Sequence, residues 1–278
     1  MKPTWLIEAD VFPNECGRLI AELARQEVPY VVCKFGKSYE EYIKDFPDDA
    51  CMVFYGSLQF ASILRRQTNW SGIYCNLPKF ECLYYYPRLG KYLLNSNYAM
   101  LPFGELDRRK DWLFQNIGSD NQLFVRPSSG YKTFTGKVTN AENWEKDLRL
   151  FGFYDINPEE LVVAATPSAI KQEWRVVVSD KVISGSRYFV NDPQYWDTDH
   201  PVETLPDFVL QYVNEILATI KYQPDPCWTI DICQLESNEL KVVEVGSFSC
   251  AGMYASDPEP IVAELNRISV MQWKENQC

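Results

Sequence analysis

The amino-acid sequence predicts an α/β region followed by a larger α+β region. Residues 1–80 alternate short β-rich runs with amphipathic, helix-like runs, which is typical of a small parallel sheet covered by helices. From Leu123 onward, strands joined by short turns are interrupted by helix-like runs. This second pattern is typical of antiparallel sheet in an α+β arrangement.

The N-terminal elements are predicted in the order β-α-β-α-β-α. The turn after the first strand, Ala9 to Pro13, lacks the Gly-x-Gly-x-x-Gly pattern, so nothing here supports a Rossmann-type nucleotide site. The predicted elements are Trp5 to Ile7, Glu15 to Gln26, Tyr30 to Cys33, Ser38 to Lys44, Met52 to Tyr55 and Leu58 to Arg66.

A domain boundary is predicted near residue 80, in a stretch rich in aromatic and turn-forming residues. A helix is expected at Arg88 to Leu94, just after this boundary. The later helices are expected at Ala141 to Leu150, Pro206 to Ile220 and Pro258 to Trp273.

Composition excludes several classes of function. The 278 residues carry a formal net charge of -11, so the overall field does not favour nucleic acid or anionic lipid as a partner. The single histidine, His200, argues against paired-histidine metal sites. Nine cysteines without a Cys-x-x-Cys pair, and no apolar run long enough to span a membrane, predict a soluble cytoplasmic protein with reduced thiols.

Two carboxylates are placed together by a predicted hairpin. If Glu236 to Glu239 form a four-residue loop, Leu235 pairs with Leu240 and Asp231 lies directly across from Glu244. The two Cβ atoms would then be about 5 Å apart on one face of the sheet.

Opposed like charges are destabilising unless a cation lies between them. Mg²⁺ suits two carboxylates because water and substrate phosphates can complete its octahedral coordination. Alternatively, Lys241, Lys221 or an arginine neutralises a solvated acidic pair. The spacing of the residues leaves both interpretations open.

A loop of small residues, Ser128 to Gly136, follows a strand that ends at Arg126 and Pro127. Its glycines and serines would let backbone amides approach an anion, and Lys132 lies near its middle. The spacing does not match a Walker loop. The segment is either a flap that covers an anion or an ordinary hairpin turn.

A second hairpin places Glu173 and Arg175 on one face of a strand, because side chains alternate with a period of two. Arg187 joins that face, across from Glu173, only if the turn contains the three residues Ser179 to Lys181. Such arginines can bind a phosphate or a carboxylate bidentately. The alternative is a structural Glu-Arg pair, which is the favoured role of Glu173.

These segments occur in an order and spacing that resemble the ATP-grasp superfamily, and in particular a subgroup of bacterial and phage proteins. The similarity is densest between residues 81 and 254. The motifs that carry it are Tyr84-Tyr85-Tyr86-Pro87, Leu101-Pro102-Phe103, Phe124-Val125-Arg126-Pro127-Ser128-Ser129-Gly130, Glu173-Trp174-Arg175, Ser186-Arg187-Tyr188, Val243-Glu244-Val245 and Cys250-Ala251-Gly252.

The resemblance implies an ATP-grasp fold preceded by a small parallel β-α-β domain. Residues 1–80 would form the preceding domain and residues 81–278 the ATP-grasp domain. Within the latter, the N-terminal lobe would span about 81–170 and the C-terminal lobe about 171–278, with ATP held between them.

The resemblance also implies roles for individual residues. Arg126 and Lys132 would contact the nucleotide, with Lys132 as the cation of the flap, and Arg175 and Arg187 would bind anions in the C-terminal lobe; these four are the candidate catalytic residues. Asp231 and Glu244 would hold Mg²⁺. The remaining candidates for nucleotide binding are Val163, Ala164 and Ala165, in the hinge against adenine, and Glu173.

Two departures from the superfamily pattern bear on activity. The usual Glu-x-Asn at the metal is Glu244-Val245-Gly246, so one expected oxygen ligand is missing. The hinge often carries an acid that reads the ribose, and Ala164-Ala165 has none.

The activity implied is an ATP-dependent carboxylate-amine ligase that works through an acyl-phosphate, with a carboxylate substrate and an amine acceptor on an amino acid, peptide or protein. No nucleic acid or membrane partner is expected, and the prediction allows a homodimer. The alternatives are a degenerate nucleotide-binding interaction module and an ATP-grasp-type small-molecule kinase.

Overall fold

The computed structural model describes residues 1–34, 38–152, 156–188 and 200–277. They divide into two compact units. Unit 1 consists of Met1–Asn76, Gln172–Ile232 and Val245–Cys278, and unit 2 of Leu77–Lys171 and Cys233–Glu244. Within the described ranges, no helix combines the length and the apolar character needed to cross a membrane.

Unit 1 begins with a three-stranded parallel sheet in the order β2-β1-β3. The predicted alternation of strands and helices is confirmed. The elements are β1 (Thr4–Ile7), α1 (Pro13–Arg25), β2 (Tyr30–Val32), α2 (Tyr39–Ile43), β3 (Met52–Tyr55) and α3 (Leu58–Gln67).

The core of unit 1 joins the two ends of the chain. Buried residues of β1 and β3, such as Trp5 and Tyr55, share one cluster with Phe248 and with Ile261 and Leu265 of the C-terminal helix α8 (Pro258–Asn276). Burial of this apolar surface is the main stabilising contribution, because it removes large side chains from water. The N-terminal sheet therefore has no separate hydrophobic core of its own, because its buried side chains pack in the same core as those of α8.

The C-terminal sheet has the strand order β11-β10-β8-β9. Strands β8 and β9 form an antiparallel hairpin, as the sequence predicts, and β10 and β11 are hydrogen-bonded neighbours in the same sheet. The elements are β8 (Ile170–Val178), β9 (Val182–Arg187), α7 (Asp207–Thr219), β10 (Trp228–Leu235) and β11 (Leu240–Ser247).

Unit 2 contains a four-stranded antiparallel sheet in the order β4-β7-β5-β6. One face of this sheet packs on a core that includes Leu113, Val125, Trp144 and Ala164. The elements are α4 (Cys82–Leu89), β4 (Tyr98–Pro102), α5 (Lys110–Asn116), β5 (Gln122–Pro127), β6 (Lys137–Asn140), α6 (Trp144–Gly152) and β7 (Leu161–Ala165).

The predicted helix at Arg88 to Leu94 is only partly confirmed, because an α-helix covers Arg88 and Leu89, a 3-10 turn covers Gly90–Tyr92, and Leu93 and Leu94 are not helical. The helix in this region is α4, which starts at Cys82, where the backbone N donates a 2.9 Å hydrogen bond to the carbonyl oxygen of Ser128. It ends before Gly90, whose φ of +49° lies in the left-handed region that favours glycine. The division into a preceding domain, 1–80, and two lobes stays a prediction.

Gly72 is expected to tolerate no side chain, because an added Cβ would lie 2.2 Å from the carbonyl oxygen of Met52. We expect Gly72→Ala to lower the free energy of unfolding by about 1–3 kcal/mol, as backbone atoms must shift. Gly17 is the matched control, since its added Cβ would meet nothing within 4 Å. Gly17→Ala should stabilise α1 by roughly 0.5–1 kcal/mol. Urea unfolding measures both, and equal effects would contradict the packing described here.

Candidate functional site

Three charged side chains of unit 2 meet at the carboxylate of Glu244. Nη2 of Arg126 lies 2.8 Å from Oε2 of Glu244, and Nζ of Lys132 lies 3.0 Å from Oε1. The side chains of Arg126 and Glu244 are 13% and 14% exposed, whereas that of Lys132 is 58% exposed. One carboxylate therefore serves two cations, one fixed and one at the surface. We call these three residues the Glu244 cluster.

The sheet of unit 2 fixes the position of Arg126. In the β5–β7 register Arg126 lies directly across from Val163, so their side chains share one face of the sheet. The buried phenol of Tyr85, on α4, is also near. Burial disfavours the charged guanidinium, but Tyr85 and Glu244 together raise the pKa of Arg126 well above its usual value. Arg126 is thus a permanent cation on this face.

The predicted flap is anchored at both ends. The carbonyl oxygen of Ser128 accepts the hydrogen bond from Cys82 that starts α4. Near the other end, Oγ1 of Thr133 donates to Oε1 of Glu160 at 2.6 Å, and the side chain of Phe134 is buried in the core of unit 2. These contacts restrict the part of the loop that could move.

The tip of this loop lies between the two anchors and carries Lys132. The backbone φ of Lys132 is +50°, in the left-handed region, which is uncommon for a lysine. The backbone N of Lys132 donates to the carbonyl oxygen of Ser129 at 3.2 Å, and the backbone N of Tyr131 donates to Oγ of Ser129 at 3.1 Å. A tight local turn therefore directs Lys132 toward Glu244.

The three hinge candidates lie on β7 between β4 and β5, and they are buried. Val163 and Ala165 occupy the sheet face of Arg126, because side chains alternate along a strand. Ala164 occupies the opposite face, within the core cluster of unit 2. Its side chain packs internally, so only its backbone is suited to a hinge. Nucleotide binding by these three residues stays a prediction.

In unit 1, Arg175 and Asp231 form a bidentate ion pair. Nε and Nη2 of Arg175 lie 2.9 and 2.7 Å from the two carboxylate oxygens of Asp231, and both residues are almost fully buried. Nη1 of Arg175 also donates to the carbonyl oxygen of Gly252 at 3.3 Å. Burial opposes the charge, but Asp231 raises the pKa of Arg175 well above its usual value.

Two aromatic rings pack on this guanidinium. Cζ of Arg175 lies 5.0 Å from the ring centroid of Tyr188 and 5.2 Å from that of Tyr254. Both distances are within the range of cation–π attraction. Arg175, Asp231, Tyr188 and Tyr254 form what we call the Arg175 cluster. The sequence prediction gave neither tyrosine a role in the site, although Tyr188 belongs to the motif Ser186-Arg187-Tyr188.

Residues of α1 hold the segment that carries Tyr254. Oε2 of the buried Glu15 accepts a 2.6 Å hydrogen bond from the backbone N of Met253, and Nη2 of Arg18 donates to the carbonyl oxygen of Tyr254. Tyr254 itself has a φ of +52°. No periodic pattern in the sequence signals these contacts, because they depend on a left-handed residue and on helix α1 from the other end of the chain.

The predicted pairing of Arg187 with Glu173 is wrong. The turn does contain Ser179 to Lys181, but a β-bulge between Val177 and Val178 shifts the register by one residue. As a result Trp174, not Glu173, lies opposite Arg187.

This shift moves Arg187 to the face opposite that of Arg175. Its guanidinium binds Glu203 through Nη2 at 2.6 Å and Nε at 3.0 Å, and its side chain is 52% exposed. Arg187 was expected to bind an anion because it was placed on the same face as Arg175, and the observed register does not support that placement. Glu173 does share the face of Arg175, and its carbonyl oxygen accepts from the backbone N of Tyr188 at 2.9 Å; its role in nucleotide binding stays a prediction.

The turn between β10 and β11 contains Glu236 to Glu239, the four residues that the sequence predicts. The backbone N of Leu235 donates to the carbonyl oxygen of Glu239 at 2.9 Å, and the backbone N of Asn238 donates to that of Leu235 at 2.9 Å. Asn238, with a φ of +66°, takes the left-handed position in this turn. The pairing of Leu235 with Leu240, and with it the opposition of Asp231 and Glu244, stays a prediction.

The candidate magnesium ligands belong to different units, and each has an arginine partner within its own unit. Lys241 instead pairs with Glu239. Within the described ranges, no group of three or more His, Cys, Asp or Glu side chains could hold a metal ion. Two carboxylates fit Mg²⁺ as hard oxygen ligands only if water and phosphate supply the rest of the coordination.

Residues 110–263, over half of the chain, match the model of a protein family described as "ATP-grasp domain, R2K clade family 2". The chain belongs to this ATP-grasp family. The match includes all ten candidate residues, from Arg126 to Glu244. No curated protein matched the chain.

Solved structures share the ATP-grasp fold over nearly the whole chain. D-cycloserine synthetase DcsG has a TM-score of 0.63 at 11% identity and covers 96% of this chain and 99% of its own. A Bacillus anthracis D-alanine–D-alanine ligase complexed with ATP has 0.60 at 15%, with 99% and 100% covered. D-alanyl-alanine synthetase A from Vibrio cholerae has 0.58 at 12%, with 99% and 98% covered. Such low identities establish the fold alone.

The two arginines of the C-terminal sheet of this ATP-grasp protein should differ sharply in their effect on stability. We expect Arg175→Met to lower the free energy of unfolding by about 3–5 kcal/mol, because it leaves the charge of Asp231 buried without its partner. Arg187→Met should cost about 1 kcal/mol or less, since its ion pair with Glu203 is exposed to water. Urea denaturation followed by tryptophan fluorescence checks this, and similar losses for both variants would contradict it.

Proposed function

We propose that the protein is an ATP-dependent carboxylate-amine ligase. The observation that carries the proposal is the convergence of Arg126 and Lys132 on the carboxylate of Glu244. Two cations held by a single anion are suited to receive the phosphates of a nucleotide. The family match and the ligases that share the fold support the reaction class.

In this proposal Glu244 acts as a stand-in for phosphate until nucleotide binds. Its oxygens already sit at hydrogen-bond distance from Arg126 and Lys132, where phosphate oxygens would form charge-assisted hydrogen bonds. Lys132 is exposed at the tip of an anchored loop, so it can move with little loss of packing. Arg126 is held by the sheet and by α4, so it defines a fixed position for the phosphate.

The hinge residues Val163, Ala164 and Ala165 would lie against the adenine, and Glu173 would lie beside the nucleotide. Val163 and Ala165 share the sheet face of Arg126. Base and phosphate would then follow one face of the unit 2 sheet. This arrangement would leave Ala164 to contribute through its backbone.

The reaction would proceed in two steps. A carboxylate oxygen of the substrate attacks the γ-phosphorus, which gives an acyl-phosphate and ADP. An amine nitrogen then attacks the acyl carbon, phosphate leaves, and the amine proton is released. Arg126 and Lys132 would neutralise charge on the transferring phosphoryl group, and the chain needs no nucleophile of its own.

Asp231 and Glu244 are the residues proposed to hold Mg²⁺, which when bound would neutralise charge on the phosphates. To act there, each carboxylate has to leave the cations that pair with it in the absence of nucleotide. Asp231 would release one or both hydrogen bonds from Arg175. The guanidinium would then be available to an anionic substrate, while the rings of Tyr188 and Tyr254 keep it in place.

The proposed substrates are an amino acid or peptide carboxylate and the amine of an amino acid, peptide or protein, and the proposed location is the cytoplasm. The solved structures that share the fold include ligases named for D-alanine. These names describe those proteins, and they suggest small amino acids as the first substrates to assay.

A degenerate nucleotide-binding module is the second candidate, and one observation favours it. Gly246 stands where the superfamily usually has asparagine, and a Cβ there would lie 2.8 Å from Oγ1 of Thr229. The site thus lacks this ligand, and a side chain at position 246 would require Thr229 to move. Such a module would bind ATP without turnover.

Transfer of ¹⁸O tests the ligase proposal directly. Pooled amino acids and peptides labelled with ¹⁸O in the carboxylate are incubated with ATP, Mg²⁺ and protein, and both ADP and phosphate are analysed. A ligase transfers one ¹⁸O to the released phosphate. A kinase instead yields a phosphorylated product, and a binding module yields no ADP above background; either result would refute the proposal.

Glu244→Gln should have opposite effects on binding and on turnover. Removal of the competing carboxylate should tighten the binding of metal-free ADP by roughly 5–10-fold, equivalent to about 1–1.4 kcal/mol, because Arg126 and Lys132 lose their internal anion. ATP turnover with Mg²⁺ should fall by about 100-fold or more.

Glu239→Gln is the matched control, because Glu239 lies in the same hairpin and forms an exposed ion pair with Lys241. It should change neither quantity. Isothermal titration measures the first and ADP release the second. Weaker binding of metal-free ADP to the Glu244 variant would contradict the proposed stand-in role.

The tip of the flap should become ordered when nucleotide binds. We expect the backbone amides from Ser129 to Lys132 to exchange more slowly with ATP and Mg²⁺, because phosphate fixes Lys132. The amide of Cys82, already hydrogen-bonded to Ser128, is the internal reference and should not change. Hydrogen exchange with equal protection in both states would indicate an ordinary hairpin turn.

A further inference from the structure

Two cysteine thiols of unit 1 lie side by side. Sγ of Cys250 is 3.6 Å from Sγ of Cys75, although 175 positions separate them in the sequence. A disulfide bond is about 2.05 Å long, so the sulfurs need to approach by about 1.5 Å. Neither residue belongs to the Glu244 cluster or the Arg175 cluster.

The backbone around this pair is already held in place. The residues before the two cysteines, Tyr74 and Ser249, are joined by two hydrogen bonds. The backbone N of Tyr74 donates to Oγ of Ser249 at 2.9 Å, and the backbone N of Ser249 donates to the carbonyl oxygen of Tyr74 at 3.2 Å. The two chain segments that carry the cysteines are therefore held next to each other.

Other thiols have different neighbours. Sγ of Cys82 lies 3.4 Å from the hydroxyl oxygen of Tyr85, and Sγ of Cys51 lies 3.9 Å from Oγ of Ser71. Cys82 is as deeply buried as Cys75, so it supplies a comparison for reactivity that depends on burial alone.

We propose that Cys75 and Cys250 form a redox-active pair that closes reversibly to a disulfide when the protein meets a hydroperoxide. The inference rests on the contact between the two sulfurs and on the backbone that supports them. It is independent of the ligase proposal.

Oxidation of the two thiols by hydrogen peroxide would take place in two steps. The thiolate of Cys75 attacks one oxygen of hydrogen peroxide; the O–O bond breaks, the other oxygen leaves as water with a proton from solvent, and Cys75 becomes a sulfenic acid. The sulfur of Cys250, which is only partly buried, then attacks the sulfur of Cys75, the S–O bond breaks, and the hydroxyl leaves as a second water with the thiol proton of Cys250. The peroxide is reduced, and two thiols are oxidised to one disulfide.

The hydrogen bond between the thiols suits these roles. Donation by Cys250 lowers the pKa of Cys75, so Cys75 holds the thiolate more readily and is the group that attacks the peroxide. The same interaction, together with burial, raises the pKa of Cys250.

The disulfide would tie Cys75 to the segment that supports the Arg175 cluster. The carbonyl oxygen of Ala251 accepts from the hydroxyl of Tyr55 at 3.0 Å, and that of Gly252 accepts from Arg175. A covalent link next to these contacts restricts unfolding of the segment. It should also raise the melting temperature, because it closes a long loop in the unfolded chain.

Peptide mapping tests the proposal. The intact protein is treated with hydrogen peroxide, free thiols are blocked with N-ethylmaleimide, and the chain is digested and analysed by mass spectrometry. We expect a linked peptide containing Cys75 and Cys250 that disappears after dithiothreitol. The oxidised protein should melt roughly 5 °C above the reduced protein.

Control variants distinguish a specific disulfide between Cys75 and Cys250 from non-specific oxidation of cysteines. Cys75→Ser and Cys75→Ala should abolish the linked peptide and the shift in melting temperature, whereas Cys82→Ser should leave both unchanged. Recovery of Cys75 and Cys250 from wild-type protein as free, maleimide-labelled thiols would overturn the proposal. So would a disulfide from either of them to a different cysteine.

Discussion

A guanidinium that is withdrawn from water has to be matched by an anion, and this requirement organises the chemistry of both units. Arg126 is matched by Glu244 in unit 2, and Arg175 by Asp231 in unit 1. Loss of either partner would leave a desolvated charge, which is far more costly than loss of a surface ion pair. The strands that carry these residues, β5, β8, β10 and β11, are held by packed cores and by hydrogen bonds, so the charges are placed before any substrate arrives.

The same pairing suggests how the protein could use a nucleotide. A carboxylate that satisfies two cations in the absence of ligand prevents their mutual repulsion, and it can be replaced by phosphate oxygens of the same charge type. Binding would then exchange one set of charge-assisted hydrogen bonds for another. The anchored loop around Lys132 is consistent with this exchange, because its ends are fixed and its tip is exposed.

The order and spacing of the motifs were sufficient for the resemblance to the ATP-grasp family. Sequence periodicity was sufficient for the order of strands and helices, since burial repeats every two residues in strands and about every 3.6 in helices. It was insufficient where one residue changes the register. The β-bulge between Val177 and Val178 moved Arg187 to the opposite face. Contacts such as that between Glu15 and Met253 join distant parts of the chain, so no local pattern could predict them. The sequence analysis did offer an arginine, as an alternative to magnesium, to neutralise the charges of Asp231 and Glu244. It did not predict which arginine binds which carboxylate.

A crystal structure of the protein with ADP and Mg²⁺ tests the central claim most directly. The account requires phosphate oxygens within hydrogen-bond distance of Arg126 and Lys132, with the carboxylate of Glu244 released from both cations. A structure in which ADP binds elsewhere while Glu244 keeps its contacts with Arg126 and Lys132 would contradict the account.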